Sequence, residues 1–104
     1  RAAELTLTGR VLKADEAKAL GILLEVTEPG ELMAAAKKMA ARIASKPPQT
    51  VRYAKRLLKL AQRQQLSEHL DTCSAFQAIC HKTDDHQEAL QAFFDKRRGE
   101  FKGR

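Results

Sequence analysis

Cys73, Cys80, His81 and His86 have the chemistry of metal ligands. Zinc sites favour tight pairs such as Cys-x-x-Cys, which this sequence lacks. Cys73 and Cys80 are two turns apart on an expected helix, and His81 points about 100° away from Cys80. No metal site is expected. The two sulfur-bearing positions lie roughly 10 Å apart along such a helix, beyond the ~7 Å limit for a disulfide. Asp84, Asp85 and His86 could be an acid/base group, but a helix N-terminus accounts for both carboxylates through its free N–H groups and dipole. Ser67 and Ser74 have no neighbouring His to make either a nucleophile. No Gly-rich phosphate loop is present; the glycine of "LTGR" stands alone. No catalytic residue is expected.

One further group remains. Phe93 and Phe94 differ by 100° around a helix and cannot both face one core. One is expected to pack on a neighbouring helix and the other to meet a subunit or ligand; the alternative is that the two are shared between two helix contacts in one core. Lys96 and Arg97 follow one turn on. An apolar wall beside cations suits an aromatic, phosphorylated ligand tail.

Helices must position these groups. "AAELTLTGR" begins as a helix and stops at Gly9; "KADEAKALG" is a short helix with acids in its first turn and Gly21 as terminator. Lys13 stands where a hydroxyl cap would be expected. "ILLEV", residues 22–26, is β-prone and closes at the Glu28-Pro29-Gly30 turn, yet no partner strand is found for it. From Glu31, the spacing of Leu32, Ala36, Met39 and Ile43 predicts a helix that ends before Pro47-Pro48. The next helix turns Val51, Ala54, Leu57, Leu58 and Ala61 inward and keeps Arg52, Lys55, Arg56, Lys59 and Arg63 outside. Ser67 caps a fourth, with Leu70, Cys73, Phe76 or Gln77, Ile79 and Cys80 as its stripe. Thr83 or Asp84 caps the last, in which Ala89, Leu90, Phe93 and Arg97 keep the helical period up to Gly99.

The chain has 104 residues, 43% of them hydrophobic and only 5% aromatic, with a net charge of +6. This is a globular, helix-favouring composition with room for a modest core, so help from a partner subunit is expected. Lys96, Arg97, Arg98, Lys102 and Arg104 concentrate positive charge at the end, an attraction for polyanions. No apolar run reaches the ~20 residues of a membrane span. The opening Arg1-Ala2-Ala3-Glu4 has neither a signal peptide's apolar block nor an initiator Met, as expected of a processed or excised piece. Two unpaired thiols suit a reducing cytoplasm.

"ELTLTGRVLKADEAKALGILLEV", "IASKPPQTVRYAKRLL" and "TDDHQEALQAFFDKRRGEFKG" together resemble the C-terminal third of the crotonase family, the enoyl-CoA hydratases and isomerases. The resemblance runs from about residue 3 to 103. Its most specific pieces are "LTGR", "A-x-EA-x-x-x-G", "IA-x-x-PP" and "D-x-x-E-x-x-x-AF-x-x-KR". It implies a mainly α fold: the helical C-terminal region of a crotonase-type fold with one short residual strand. Residues 1–30 would be the tail end of the spiral core, and 31–104 a helical oligomerisation and lid domain. The oxyanion-hole amides and the catalytic carboxylates of such enzymes lie upstream of the matched stretch, so the isolated chain is expected to be inactive.

Carried over by position, Phe93 and Lys96 are the expected contacts to the adenine and phosphate end of coenzyme A. Coenzyme A thioester is the implied substrate of the parent enzyme, with no tightly bound cofactor. Arg97 also matches the motif, without an assigned contact. His81 replaces an aromatic common in the family, and Lys13 a small hydroxyl. The expected partners are an acyl-CoA and further copies of the chain, with no membrane. A small basic helical nucleic-acid-binding module is the alternative, supported by charge and by the basic face from Arg52 to Arg63 but by no reader motif.

Overall fold

The structure, a computed structural model, describes residues 1–104 and contains six helices. They are α1 (Ala2–Thr8), α2 (Ala14–Ala19), α3 (Leu32–Ala44), α4 (Pro48–Leu60), α5 (Leu66–His81) and α6 (Asp84–Phe94). The chain divides into two units, Arg1–Lys37 and Lys38–Arg104, with the division falling inside α3.

In the first unit the "LTGR" glycine ends α1. Gly9 takes φ 61° and its N–H donates to the Leu5 carbonyl at 3.1 Å, a left-handed stop that costs a glycine nothing. Arg10 then links two helices, donating from Nε to Glu4 at 2.7 Å and from Nη1 to Glu16 at 2.9 Å. Those two bonds raise the Arg10 pKa further above its usual value. Lys13 provides no side-chain cap to α2, as the sequence implied. Gly21, at φ 77°, closes α2: its N–H bonds to Lys18 O and that of Ile22 to Ala17 O, both at 2.9 Å. Ala17 is the one buried residue here.

Residues 22–26 form no strand. The N–H groups of Ile22 and Leu23 are both spent on the Ala17 carbonyl, and no second segment runs alongside to make a ladder. Ile22, Leu23 and Leu24 are exposed.

α3 keeps its stripe but not its burial. Leu32 is 66% and Ile43 53% exposed, and Met39 is only half-buried. Ser45 Oγ donates to the Arg42 carbonyl at 2.9 Å as the helix ends before the prolines.

In the second unit α5 packs against both α4 and α6. Pro48 opens α4, where its missing N–H costs nothing. Beyond its first turn the half-buried residues of α4 are Val51, Tyr53, Leu57 and Leu60; Ala54, Leu58 and Ala61 are exposed, against expectation. The register is set by Tyr53, whose ring lies 4.6 Å from that of Phe76, with the Arg56 guanidinium 5.5 Å from the same Phe76 ring. On α5, His69, Thr72, Cys73, Phe76 and Cys80 turn inward, while Leu70 and Ile79 point out. Gln64 explains the polar members, donating to Thr72 Oγ1 at 3.1 Å and facing His69 Nδ1 at 3.0 Å. Ser67 is not the cap: Gln65 occupies that place, and its N–H donates to Glu68 Oε2 at 3.2 Å. Beyond α6 the chain folds back, and Gly103 comes to rest beside Pro48.

Ala17, Ala92 and Asp85 are the only buried residues, whereas fifteen large apolar side chains are exposed. Each one left in water forgoes roughly 1.5–3 kcal/mol of burial. The helices are therefore finished locally, but their apolar faces lack cover.

Candidate functional site

The site is built on α6 and the segment after it. Thr83 caps the helix, its Oγ1 accepting from the His86 N–H at 3.2 Å while donating to the Cys80 carbonyl at 2.7 Å. The inward stripe is Asp85, Ala89 and Ala92, which are small enough to let the helix approach its neighbour. Leu90 is 43% exposed, so the stripe expected through Leu90, Phe93 and Arg97 is not the buried one.

Asp85 is only 2% exposed. Its two oxygens accept from the Lys102 N–H at 2.7 Å and the Gly103 N–H at 2.8 Å, and its own N–H donates to the Arg104 carbonyl at 3.1 Å. Asp85 is a first-turn acid that complements the helix dipole, and it also anchors the far end of the chain. One turn on, Glu88 takes the Arg97 guanidinium in a two-pronged grip of 2.6 and 3.0 Å, and accepts the Glu100 N–H at 2.9 Å. The Arg97 hydrogen bond, followed by that of the Glu100 amide, lowers the Glu88 pKa to about 2. The same bond pushes Arg97 above its usual value. Asp95 adds a 3.3 Å contact to Arg97 Nε and accepts from Gln91 at 2.9 Å.

Arg97 is thus outside the helix. α6 ends at Phe94, ahead of the expected stop at Gly99, because Lys96 enters the left-handed region at φ 54°. The Lys96 N–H bonds to Phe93 O at 3.2 Å and the Arg97 N–H to Ala92 O at 3.0 Å, a Schellman closure with a lysine in the glycine's place. Gly99 has another task. A Cβ there would come within 2.6 Å of the Phe101 ring, so the glycine lets that ring sit against the backbone.

Neither phenylalanine packs on a neighbouring helix, because the small stripe takes that face. Phe93 is 77% and Phe94 72% exposed, their rings edge to face with centroids 5.8 Å apart. Lys96 follows them and makes no ion pair, in contrast to Arg97. Phe93 and Phe94 thus form an open apolar surface at the end of α6, and Lys96 follows two residues on in the turn that closes the helix.

Elsewhere, His81 and His86 stack at 4.6 Å and line a groove of about 390 Å³ with Cys73, Cys80, Tyr53 and Phe76. Both cysteines are unpaired, and no group of three or more His, Cys, Asp or Glu is placed to hold a metal. No helix is long and apolar enough to cross a membrane.

The family profile described as enoyl-CoA hydratase/isomerase matches residues 1–104, the whole chain. This chain belongs to that family. A short-chain-enoyl-CoA hydratase of Clostridium acetobutylicum is 36% identical over 99% of this chain and 40% of its own length. A crotonyl-CoA hydratase of Syntrophomonas wolfei is 35% identical over 96% of this chain and 38% of its own. The crystal structure of an enoyl-CoA hydratase from Bacillus anthracis superposes with a TM-score of 0.94 at 36% identity, covering 100% of this chain and 40% of that one. The chain thus spans about two fifths of the length of these members of the enoyl-CoA hydratase/isomerase family. Its helical architecture is that of the C-terminal region of a crotonase fold. Family motifs acquire physical meaning here: "LTGR" is a helix stop followed by the Arg10 link, and the Glu and Arg of "E-x-x-x-AF-x-x-KR" are the Glu88–Arg97 pair.

Proposed function

We propose that this chain is the helical part of an enzyme that hydrates or isomerises acyl-CoA thioesters, and that Phe93 and Lys96 meet the adenine and phosphate end of coenzyme A. The observation that carries this reading is the exposure of the Phe93 ring, with a Lys96 that makes no ion pair three residues on, both at motif positions of the family. An aromatic face can stack on adenine, and a lysine without a carboxylate partner is free for a phosphate. The amides and carboxylates that act on the thioester belong to the portion of the family fold outside this chain, so the chain alone leaves crotonyl-CoA unhydrated. Residues 1–30 serve as the edge of the spiral core and 31–104 as lid and subunit contact. Its setting is the cytoplasm, where two unpaired thiols persist.

The coenzyme is the test. In an amide-resolved NMR titration, millimolar CoA should move the signals of Phe93 and Lys96, and dephospho-CoA should move Lys96 less. Lys96→Ala should weaken the CoA response. Signals that stay still at Phe93 and Lys96 would remove the assignment. The apolar faces of α3 and α4 are expected to make the chain self-associate. A monomer at high micromolar concentration in sedimentation equilibrium would count against that part.

A further inference from the structure

We propose that Glu88 is a positioning residue for the Phe93–Lys96 surface: by gripping the Arg97 guanidinium and the Glu100 amide, its carboxylate holds Lys96 in left-handed backbone. The use made of that surface rests on the coenzyme A reading above; the geometric claim does not.

A lysine at φ 54° is an uncommon arrangement, since Cβ crowds the following carbonyl oxygen there. The Schellman bonds require a left-handed residue at this position but do nothing to relieve the strain of its being a lysine rather than a glycine. What distinguishes this turn is the residue immediately after it. Arg97 is caught by both oxygens of Glu88, at 2.6 and 3.0 Å, nine positions back along the chain. With Lys96 left-handed, the backbone turns back at 96 and Arg97 reaches Glu88. The Glu100 N–H, donating to the same carboxylate at 2.9 Å, fixes the exit direction as well. Two donors from different residues therefore converge on one side chain, and the reversal between them and the helix is over-determined. Strain held this way is characteristic of functional segments. It falls on the lysine three residues after Phe93 whose side chain makes no ion pair.

The charged groups around Glu88 favour its ionised form on balance. Arg97 and Lys102 face it from the returning segment, with Asp84 and Asp85 on its own helix. Asp95 lies on the far side of Arg97, and Glu100 and Arg104 border the same hollow of about 430 Å³. The grip itself lowers the Glu88 pKa, so the carboxylate stays ionised well below the usual glutamate range.

The experiment compares the wild-type chain with Glu88→Ala, Glu88→Gln and Thr83→Ala. Backbone couplings and shifts report φ at Lys96, and a CoA titration is run on each. Glu88→Ala removes both acceptors and should release Lys96 from the left-handed region. It should also raise the CoA dissociation constant by about two- to five-fold, the scale an exposed ion pair can supply. Glu88→Gln keeps an oxygen for the Glu100 amide and should fall between. Thr83→Ala weakens α6 from its other end and should change neither reading. A Lys96 that stays left-handed in Glu88→Ala, or that is disturbed as much by Thr83→Ala, overturns the proposal. If Glu88→Ala releases Lys96 while the wild type shows no CoA response, the positioning role stands and the coenzyme reading falls.

Discussion

The ends of α2 and α6 carry the same pair of backbone hydrogen bonds around different residues. In α2 they close over Gly21 at φ 77°; in α6 they close over Lys96 at φ 54°. The glycine meets nothing within 4 Å where a Cβ would stand, so only backbone strain selects it. The lysine occupies the equivalent position at a cost of roughly 1–2 kcal/mol. After Gly21 the chain runs into the exposed Ile22, Leu23 and Leu24, whereas after Lys96 it is gripped by Glu88 and then by Asp85. A turn selected by its own residue needs no support from outside. One imposed on an unsuitable residue does, and the support marks where side-chain identity matters.

The largest effect should come from the strongest support. Asp85→Ala leaves the Lys102 and Gly103 amides without their acceptor and should cost about 2 kcal/mol in urea unfolding. Fast hydrogen exchange at those two amides would accompany it; unchanged exchange would break the contrast between the two turns. Gly21→Ala should destabilise by about 1 kcal/mol, through strain alone. Lys96→Gly should stabilise by about 0.5 kcal/mol, strain relief exceeding the added chain entropy, while weakening the CoA response. Opposite signs in thermal melts would sharpen the comparison, and equal signs would dissolve it.

Acid should give the smallest effect, because the Glu88–Arg97 pair is partly exposed. The Glu88 pKa is lowered on folding, from 4.5 to about 2. Its contribution is therefore complete above pH 4.5 and lost as pH falls through about 2. The Glu100 amide signal, followed by NMR as acid is added, should report the release in that window.

Helix existence was legible because it is written locally. Gly9, Gly21, the two prolines and Thr83 all act within a turn of their own position, and each expected helix is present. Which face is buried was less legible. Periodicity identified the stripe of α3 but not what covers it, and in this chain Leu32 and Ile43 remain in water. On α4 the ring of Tyr53, paired with Phe76, chose the inward face over Leu58. The strand at 22–26 failed for a related reason: β-propensity needs a partner to act on, and Ala17 took the amides. The motif singled out Phe93 and Lys96 as expected contacts, but the hydrogen bonds that tie down the segment after them could not be read from it. Asp85 and Glu88 accept from backbone amides twelve or more positions away, and such bonds leave no periodic trace.

Gly103 rests against Pro48, with 3.6 Å between the proline ring and the place where a Cβ would stand. The polypeptide from the start of α4 to the end of the returning segment is thereby drawn into a hoop without any covalent fastener. Joining the ends of a span that long carries an entropic cost that shorter turns avoid. The seam should accordingly part before the helices do. Its parting would bare the first turns of α4 and α6 together.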